Sequence, residues 1–184
     1  STGDLLRKEI TKKTSLGSKI EKIISKGKFV SDEIVNTLLF NSLINKTNNN
    51  GIIFDGYPRN ISQAINLEKI LKEQKKKINF VFYLKVSKEI IQKRILGRVT
   101  CEKCNITLNE FFNQQEIENH KCGKKNLKRR KDDNEMTVVS RYDSYIEKTK
   151  PVLDFYFKKE GFYEIDGSLK IHEITSKIDQ ILNL

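Results

Sequence analysis

The sequence predicts an α/β domain built on a parallel sheet flanked by helices. Apolar runs of strand length alternate with segments whose apolar residues recur at helical spacing, which is the pattern of strand–helix–strand units. One run, NFVFYLKV (79–86), is apolar at nearly every position, as a strand covered on both faces requires. A chain of 184 residues with 37% hydrophobic content is also long enough for one domain with a proper core and a small insertion.

The elements follow in order. LLRKEITKK, after Ser1-Thr2-Gly3-Asp4, reads as a helix that Thr2 or Asp4 could cap. A second helix is expected over GSKIEKIISKG, closing at Gly27, and a third over SDEIVNTLLFNSLINK, where Ser31-Asp32 is a start signal and Ile34, Leu38, Leu39 and Leu43 fall at helical spacing. Asn48-Asn49-Asn50-Gly51 breaks that helix, and a strand is expected at 52–55. A helix over about 62–75, the strand within 79–86 and a helix in SKEIIQKRILGR come next; Arg94 and Arg98, one turn apart, would share a face of that last helix. A polar, cysteine-bearing stretch separates them from a long helix starting near Asn134, the strand GFYEID, and a closing helix in KIHEITSKIDQILNL.

Composition narrows the partners. Lys+Arg 35 against Asp+Glu 24 gives a net charge of +11, which favours anionic ligands without choosing among nucleic acid, acidic lipid and small phosphorylated molecules. No apolar run has the roughly 20 residues that cross a bilayer, and the first residues lack the apolar stretch of a secretion signal. The expected setting is therefore cytoplasmic or organellar, the mitochondrion included, with neither secretion nor a membrane partner.

Two motifs carry chemistry. FDGYPR places Gly56, Tyr57, Pro58 and Arg59 at the carboxyl end of an expected strand, where open parallel sheets bind ligands. The glycine lets a ligand approach the backbone, the proline stiffens the turn and the arginine offers a planar fork for phosphate. A plain surface turn would use the same glycine and proline. RRKDDNEMTVVSRY sets Arg130, Asp132, Asp133 and Arg141 around a helix start, a cluster that either clamps phosphate or closes on itself in salt bridges.

Taken together, STGDLLR, GKFVSDE, DGYPRNISQA, KRILGR and RRKDDNEMTVVSRY, in this order, resemble the adenylate kinase family of nucleoside monophosphate kinases, and the resemblance spans essentially the whole chain. It implies a P-loop NTPase-like parallel sheet with helices on its faces, an AMP-binding helical segment and an inserted lid. The implied division is a core at 1–98 with the AMP segment at about 1–30, a lid at 99–133, and the rest of the core at 134–184. The implied activity is reversible phosphoryl transfer from Mg-ATP to AMP, giving two ADP. Carried over by position, the AMP site comprises Thr2, Arg7, Lys28, Phe29, Val30, Gly56, Tyr57, Pro58, Arg59, Gln63, Arg130 and Arg141, with Gln63 reading the adenine edge. Arg94, Arg98 and Leu169 correspond to donor-nucleotide residues. Arg98, Arg130 and Arg141, with Asp132 and Asp133 steadying them, correspond to the groups around the transferred phosphoryl. The implied partners are ATP and AMP, with no nucleic acid and a monomeric state at full length.

Cys101, Cys104, His120 and Cys122 fall within the lid segment as Cys-x2-Cys followed by His-x-Cys, an N/S set suited to structural zinc. The family's metal-bearing lids use two Cys-x2-Cys-like knuckles, so His120 is a departure. A redox pair and metal-free thiols are the alternatives. The family also carries a glycine-rich phosphate loop, G-x-x-x-x-G-K-[ST], and no such motif occurs in these residues. The expectation is accordingly that the first strand and that loop lie outside the chain, that it is a fragment, and that it is inactive alone. A GTP:AMP phosphotransferase and a catalytically inactive nucleotide-binding relative are the competing functions; a nucleic-acid-binding zinc module is disfavoured because the basic residues are spread over every helix and the aromatics form no stacking row.

Overall fold

In the computed structural model, which describes residues 1–44, 51–130 and 132–183, helices α1 (Thr2–Thr11), α2 (Ser15–Ile24), α3 (Asp32–Ile44) and α4 (Ile61–Glu73) precede strand β1 (Val81–Lys85) and helix α5 (Lys88–Leu96). Three short strands, β2 (Arg98–Cys101), β3 (Thr107–Asn109) and β4 (Leu127–Lys128), then enclose α6 (Gln114–Glu118). Helix α7 (Glu135–Ser144) continues through a π-type turn at Tyr145–Thr149 into α8 (Lys150–Phe157), and β5 (Phe162–Asp166) and α9 (Ile171–Leu182) close the chain. The predicted break at Asn48–Asn50 lies outside the described residues.

The chain divides into two compact units, Ser1–Val81 with Ser140–Phe162, and Phe82–Val139 with Tyr163–Leu184. The first is organised by α1 to α4. Ile20, Val35, Leu39, Tyr57, Leu67 and Leu71 form its main core, with Leu5, Leu6 and Ile10 of α1 packed against it. These are the positions that helical spacing selects, so burial of one stripe per helix accounts for the packing. Thr14 caps α2 by accepting from Gly17 N–H at 3.0 Å, and Asn60 caps α4 by accepting from Gln63 N–H at 2.7 Å. A smaller core joins α4 to α8 through Ala64, Val152 and Tyr156.

β1 and β5 form a two-stranded sheet. Val81 N–H donates to Gly161 O at its start and Gly167 N–H to Lys85 O at its end, so the strands run parallel. Phe82 stacks on Tyr163, and Lys85 pairs with Glu164 at 2.9 Å. The second sheet has the order β3-β2-β4 and is antiparallel, with Val99 opposite Leu108 and Cys101 opposite Leu127.

Four local expectations are corrected. Residues 52–55 form no strand, because among the described residues they have no sheet partner and a strand exists only through its ladder; Ile53 is 92% exposed. The run 79–86 is not covered on both faces, with Phe80 and Leu84 exposed; among the described residues its sheet has one partner strand, β5. Neither Thr2 nor Asp4 caps α1: Ser1 occupies the cap position without a side-chain bond, and Thr2 lies inside the helix. Arg98 does not share a helix with Arg94, because α5 ends at Leu96, Gly97 caps it, and Arg98 begins β2.

Candidate functional site

The first unit gathers a group of polar side chains around Gly56. Thr2 N–H donates to Asp55 O at 3.1 Å and Thr2 Oγ1 to Gly56 O at 2.8 Å, which fastens the first turn of α1 to the 55–59 loop. Gly56 has φ +67, and a Cβ there would stand 3.0 Å from Arg59 Nη2 and 3.3 Å from Thr2 Oγ1, so only glycine leaves both groups in place. Arg59 Nε donates back to Gly56 O at 2.8 Å, its guanidinium lies 5.1 Å from the Phe29 ring centre, and Thr149 Oγ1 donates to Arg59 O at 2.8 Å.

Arg59 is short of negative charge. Burial lowers its pKa from the ordinary arginine value, the neighbouring positive Arg141 lowers it further, Asp55 opposes this, and Arg7 adds to the depression. Three guanidiniums from α1, the 55–59 loop and α7 thus act on one locus. Arg7 also pairs with Asp4 at 2.5 Å. Such a locus is built to take an anion with several oxygens, because a phosphate would relieve the mutual repulsion and occupy more than one fork.

The other predicted residues of this unit are placed less uniformly. Val30 is buried in the main core and Lys28 is exposed. Tyr57 is 5% exposed, with its ring in the core and its hydroxyl donating to Asn36 Oδ1 at 2.7 Å; burial raises its pKa. Pro58 is half-buried beside it, after a cis Tyr57–Pro58 peptide. Gln63 is buried, and its amide meets Arg59 N–H and the Asp32 carboxylate.

In the second unit, Arg98 and Asp133 form a two-pronged pair, Nε to Oδ2 at 2.8 Å and Nη2 to Oδ1 at 2.6 Å, with the Asp133 carboxylate fully buried. The bonds to Asp133 raise the Arg98 pKa, burial opposes this, and Asp133 and Asp132 add to it by charge. Removing Arg98 would take a two-pronged partner from a fully buried carboxylate. Replacing Arg98 with alanine is therefore expected to cost about 3–5 kcal/mol of stability, read as a lowered denaturation midpoint. Arg94, Arg130 and Asp132 are half-buried in the same unit, and Leu169 follows the turn in which Asp166 accepts from Ser168 N–H at 2.8 Å.

Sequence reasoning missed the residues that hold α5. Asn109 Nδ2 donates to Lys93 O at 3.2 Å and Arg94 O at 3.0 Å, Arg129 Nη1 donates to Leu96 O at 2.6 Å while pairing with Glu110, and Glu110 N–H donates to Gly97 O at 2.8 Å. The last carbonyls of the helix that carries Arg94 are thus satisfied by the lobe that follows it. Asparagine and arginine are common surface residues, and nothing local in the sequence marked these two.

The four metal-type residues also come together. Cys101 N–H donates to Ile106 O and Asn105 N–H to Cys101 O, a tight turn that returns Cys104 toward Cys101. Glu102 N–H donates to Asn126 O, and Asn126 Nδ2 to Cys122 O, which brings the second pair alongside. The ligand atoms of Cys101, Cys104, His120 and Cys122 all lie within 4.8 Å of one another, with Cys104 Sγ 3.6 Å from His120 Nε2. A zinc tetrahedron with bonds of about 2.0–2.3 Å has edges of about 3.3–3.8 Å; the Cys104–His120 separation lies in that range, and the bound of 4.8 Å on the whole set leaves up to about 1 Å of contraction for an ion to impose. Cys101 is pulled down to about 6, chiefly by the Cys104 backbone N–H, and Cys122 is pushed up to about 11, chiefly by its bond to Cys104. Among the described residues of the segment 98–130, Val99 and Cys101 are the buried apolar side chains, which is little core for a lobe of that size.

Comparison with known proteins adds a separate line of support. The family model described as "Adenylate kinase" matches residues 1–161. An adenylate kinase of Pelagibacter ubique is 60% identical over 184 residues, covering 100% of this chain and 86% of that protein. Adenylate kinases of Thermosipho melanesiensis and Novosphingobium aromaticivorans are 36% and 38% identical, covering 100% and 99% of this chain and 85% of each relative. Among the described residues, no helix is long and apolar enough to cross a membrane.

Proposed function

The chain belongs to the adenylate kinase family of nucleoside monophosphate kinases, and from that premise we propose that it transfers the terminal phosphoryl group of Mg-ATP to AMP, reversibly, giving two ADP. The observation that carries the acceptor half of this reading is the Arg59 locus, where Arg7 and Arg141 add positive charge around a guanidinium already partly desolvated. In this reading Arg59, Arg7 and Arg141 hold the AMP phosphate. Thr2, Phe29 and Gly56 shape the pocket floor, Lys28, Val30, Tyr57 and Pro58 support it, and Gln63 reads the base. Arg94, Arg98 and Leu169 serve the donor nucleotide. Arg130, with Asp132 and Asp133 holding the arginines of its lobe, serves the transferred group.

Phosphoryl transfer makes modest covalent demands on a protein. The charge of the transition state is spread over three equatorial oxygens, so a fixed set of guanidiniums that needs no reorganisation lowers the barrier by position and charge. Magnesium arrives with ATP and shares that neutralisation. The zinc site is structural in this reading: Cys101, Cys104, His120 and Cys122 would hold the ion, which supplies folding energy to the lobe and takes no part in transfer.

A coupled assay of ADP formation tests the proposal, using the full-length protein as its gene encodes it, with ATP or GTP as donor and AMP, GMP or CMP as acceptor. Rapid ADP production that requires both ATP and AMP is expected. Nucleotide binding with no turnover would make the protein an inactive relative, and preference for GTP would reassign the donor.

A further inference from the structure

The first turns of α3 and α4 are joined by a polar network centred on Asp32. Asn60 Nδ2 donates to both Asp32 oxygens, each at 3.0 Å, and Gln63 Nε2 donates to Oδ1 at 2.6 Å. Gln63 Oε1 in turn accepts from Arg59 N–H at 2.7 Å, and Gln63 is 4% exposed. A carboxylate can only accept and a backbone N–H can only donate. The Gln63 amide is therefore held in one orientation, nitrogen toward Asp32 and oxygen toward Arg59. One N–H and one oxygen lone pair of that amide are left over, in a fixed order.

That order matters to a base. Adenine presents an exocyclic amine that donates beside a ring nitrogen that accepts; hypoxanthine, at the same two positions, presents a carbonyl that accepts and an N–H that donates. An amide free to rotate can serve either, whereas a locked amide serves one. We propose that Asp32 is a positioning residue that determines which purine the acceptor site takes, by locking the Gln63 amide in the orientation that suits adenine. This rests on the reading of Gln63 as the base-contacting residue.

Charge and position make opposite predictions here, which gives the proposal a sharp test. By Coulomb attraction alone, removing the Asp32 carboxylate near a phosphate-binding arginine should tighten any nucleotide monophosphate, whatever its base. If Asp32 acts by orienting Gln63, its loss should weaken AMP and relax selection. An asparagine at position 32 has an amide that can donate or accept, so only the bond from Arg59 N–H would still favour one orientation of the Gln63 amide, and the lock would be weakened.

The experiment is calorimetric titration of the full-length protein with AMP and with inosine monophosphate. For Asp32→Asn the AMP dissociation constant is expected to rise about tenfold, and the preference for AMP over inosine monophosphate to fall by about tenfold or more. Asp32→Glu, which keeps acceptor-only chemistry, should hold the preference within about threefold of the native protein. Equal shifts for both nucleotides in Asp32→Asn, in either direction, would overturn the proposal. Gln63→Leu separates the two readings: if it leaves AMP affinity and preference unchanged, the base-contacting role of Gln63 fails; if it abolishes the preference while Asp32→Asn retains it, only the role of Asp32 fails. Should Asp32→Asn not fold, Asp32→Ser, whose hydroxyl also donates or accepts, takes its place with the same outcomes.

Discussion

Replacing Arg59 with alanine should raise the dissociation constant for AMP by about a hundredfold or more while leaving the free protein no less stable. Both halves come from the same environment. Arg59 is partly desolvated, its Nε is spent on Gly56 O, and two further arginines add positive charge to its surroundings. Truncating a desolvated charged partner in a complex costs about 2–5 kcal/mol, and about 1.4 kcal/mol is tenfold in affinity. In the free protein the same guanidinium faces like charge, so its loss also removes repulsion. Calorimetry and a thermal melt on one preparation read both quantities. An Arg59→Lys variant should recover part of the affinity, because the charge returns but the fork does not. A loss of stability without loss of AMP affinity would make Arg59 a structural residue of the 55–59 loop.

Removing zinc should have the largest effect on structure. Structural zinc contributes on the order of 10 kcal/mol to the folding of small Cys/His modules, whereas the lobe that holds Cys101, Cys104, His120 and Cys122 buries little apolar surface of its own. Metal analysis of purified protein is expected to give about one zinc per chain. Stripping it with a strong chelator, or substituting Cys104→Ser, should expose the 102–126 segment to protease and raise its amide exchange by a factor of about a hundred or more. The first unit, held by its own core around Ile20 and Leu67, should be spared. Protein that carries no metal and resists protease equally with and without chelator would mean that the thiols serve another purpose.

The helices were legible because their causes are local. Although the caps Thr14 and Asn60, each accepting from the N–H three positions on, were not singled out from sequence, apolar residues at helical spacing sit in the core along α2 and α4. The strand expected at 52–55 was not, since a strand depends on a neighbour that local sequence does not reveal. The same division applies to the site. Gly56 and Arg59 stood out as a motif, and the charges of Arg141 and Arg7 add to the lowering of the Arg59 pKa by burial. The bond from Gln63 to Asp32 crosses 31 positions and those from Asn109 to α5 cross 15 and 16, between residue types that are common on surfaces. Asp32 drew notice only as a helix-start residue, although its carboxylate joins two helices. Arg98 was expected on a helix face and stands instead on β2, because a single glycine ended α5 earlier than the apolar pattern suggested.

The central claim is that Thr2, Arg7, Gly56, Arg59 and Arg141 form one acceptor-phosphate site. Titrating AMP into isotopically labelled protein and following backbone amide and arginine side-chain signals tests it most directly. Saturable shifts concentrated at Thr2, Gly56 and the guanidiniums of Arg7, Arg59 and Arg141, and abolished in Arg59→Ala, are the predicted result. Shifts that map elsewhere on the molecule, or a spectrum unchanged at millimolar AMP, would contradict it.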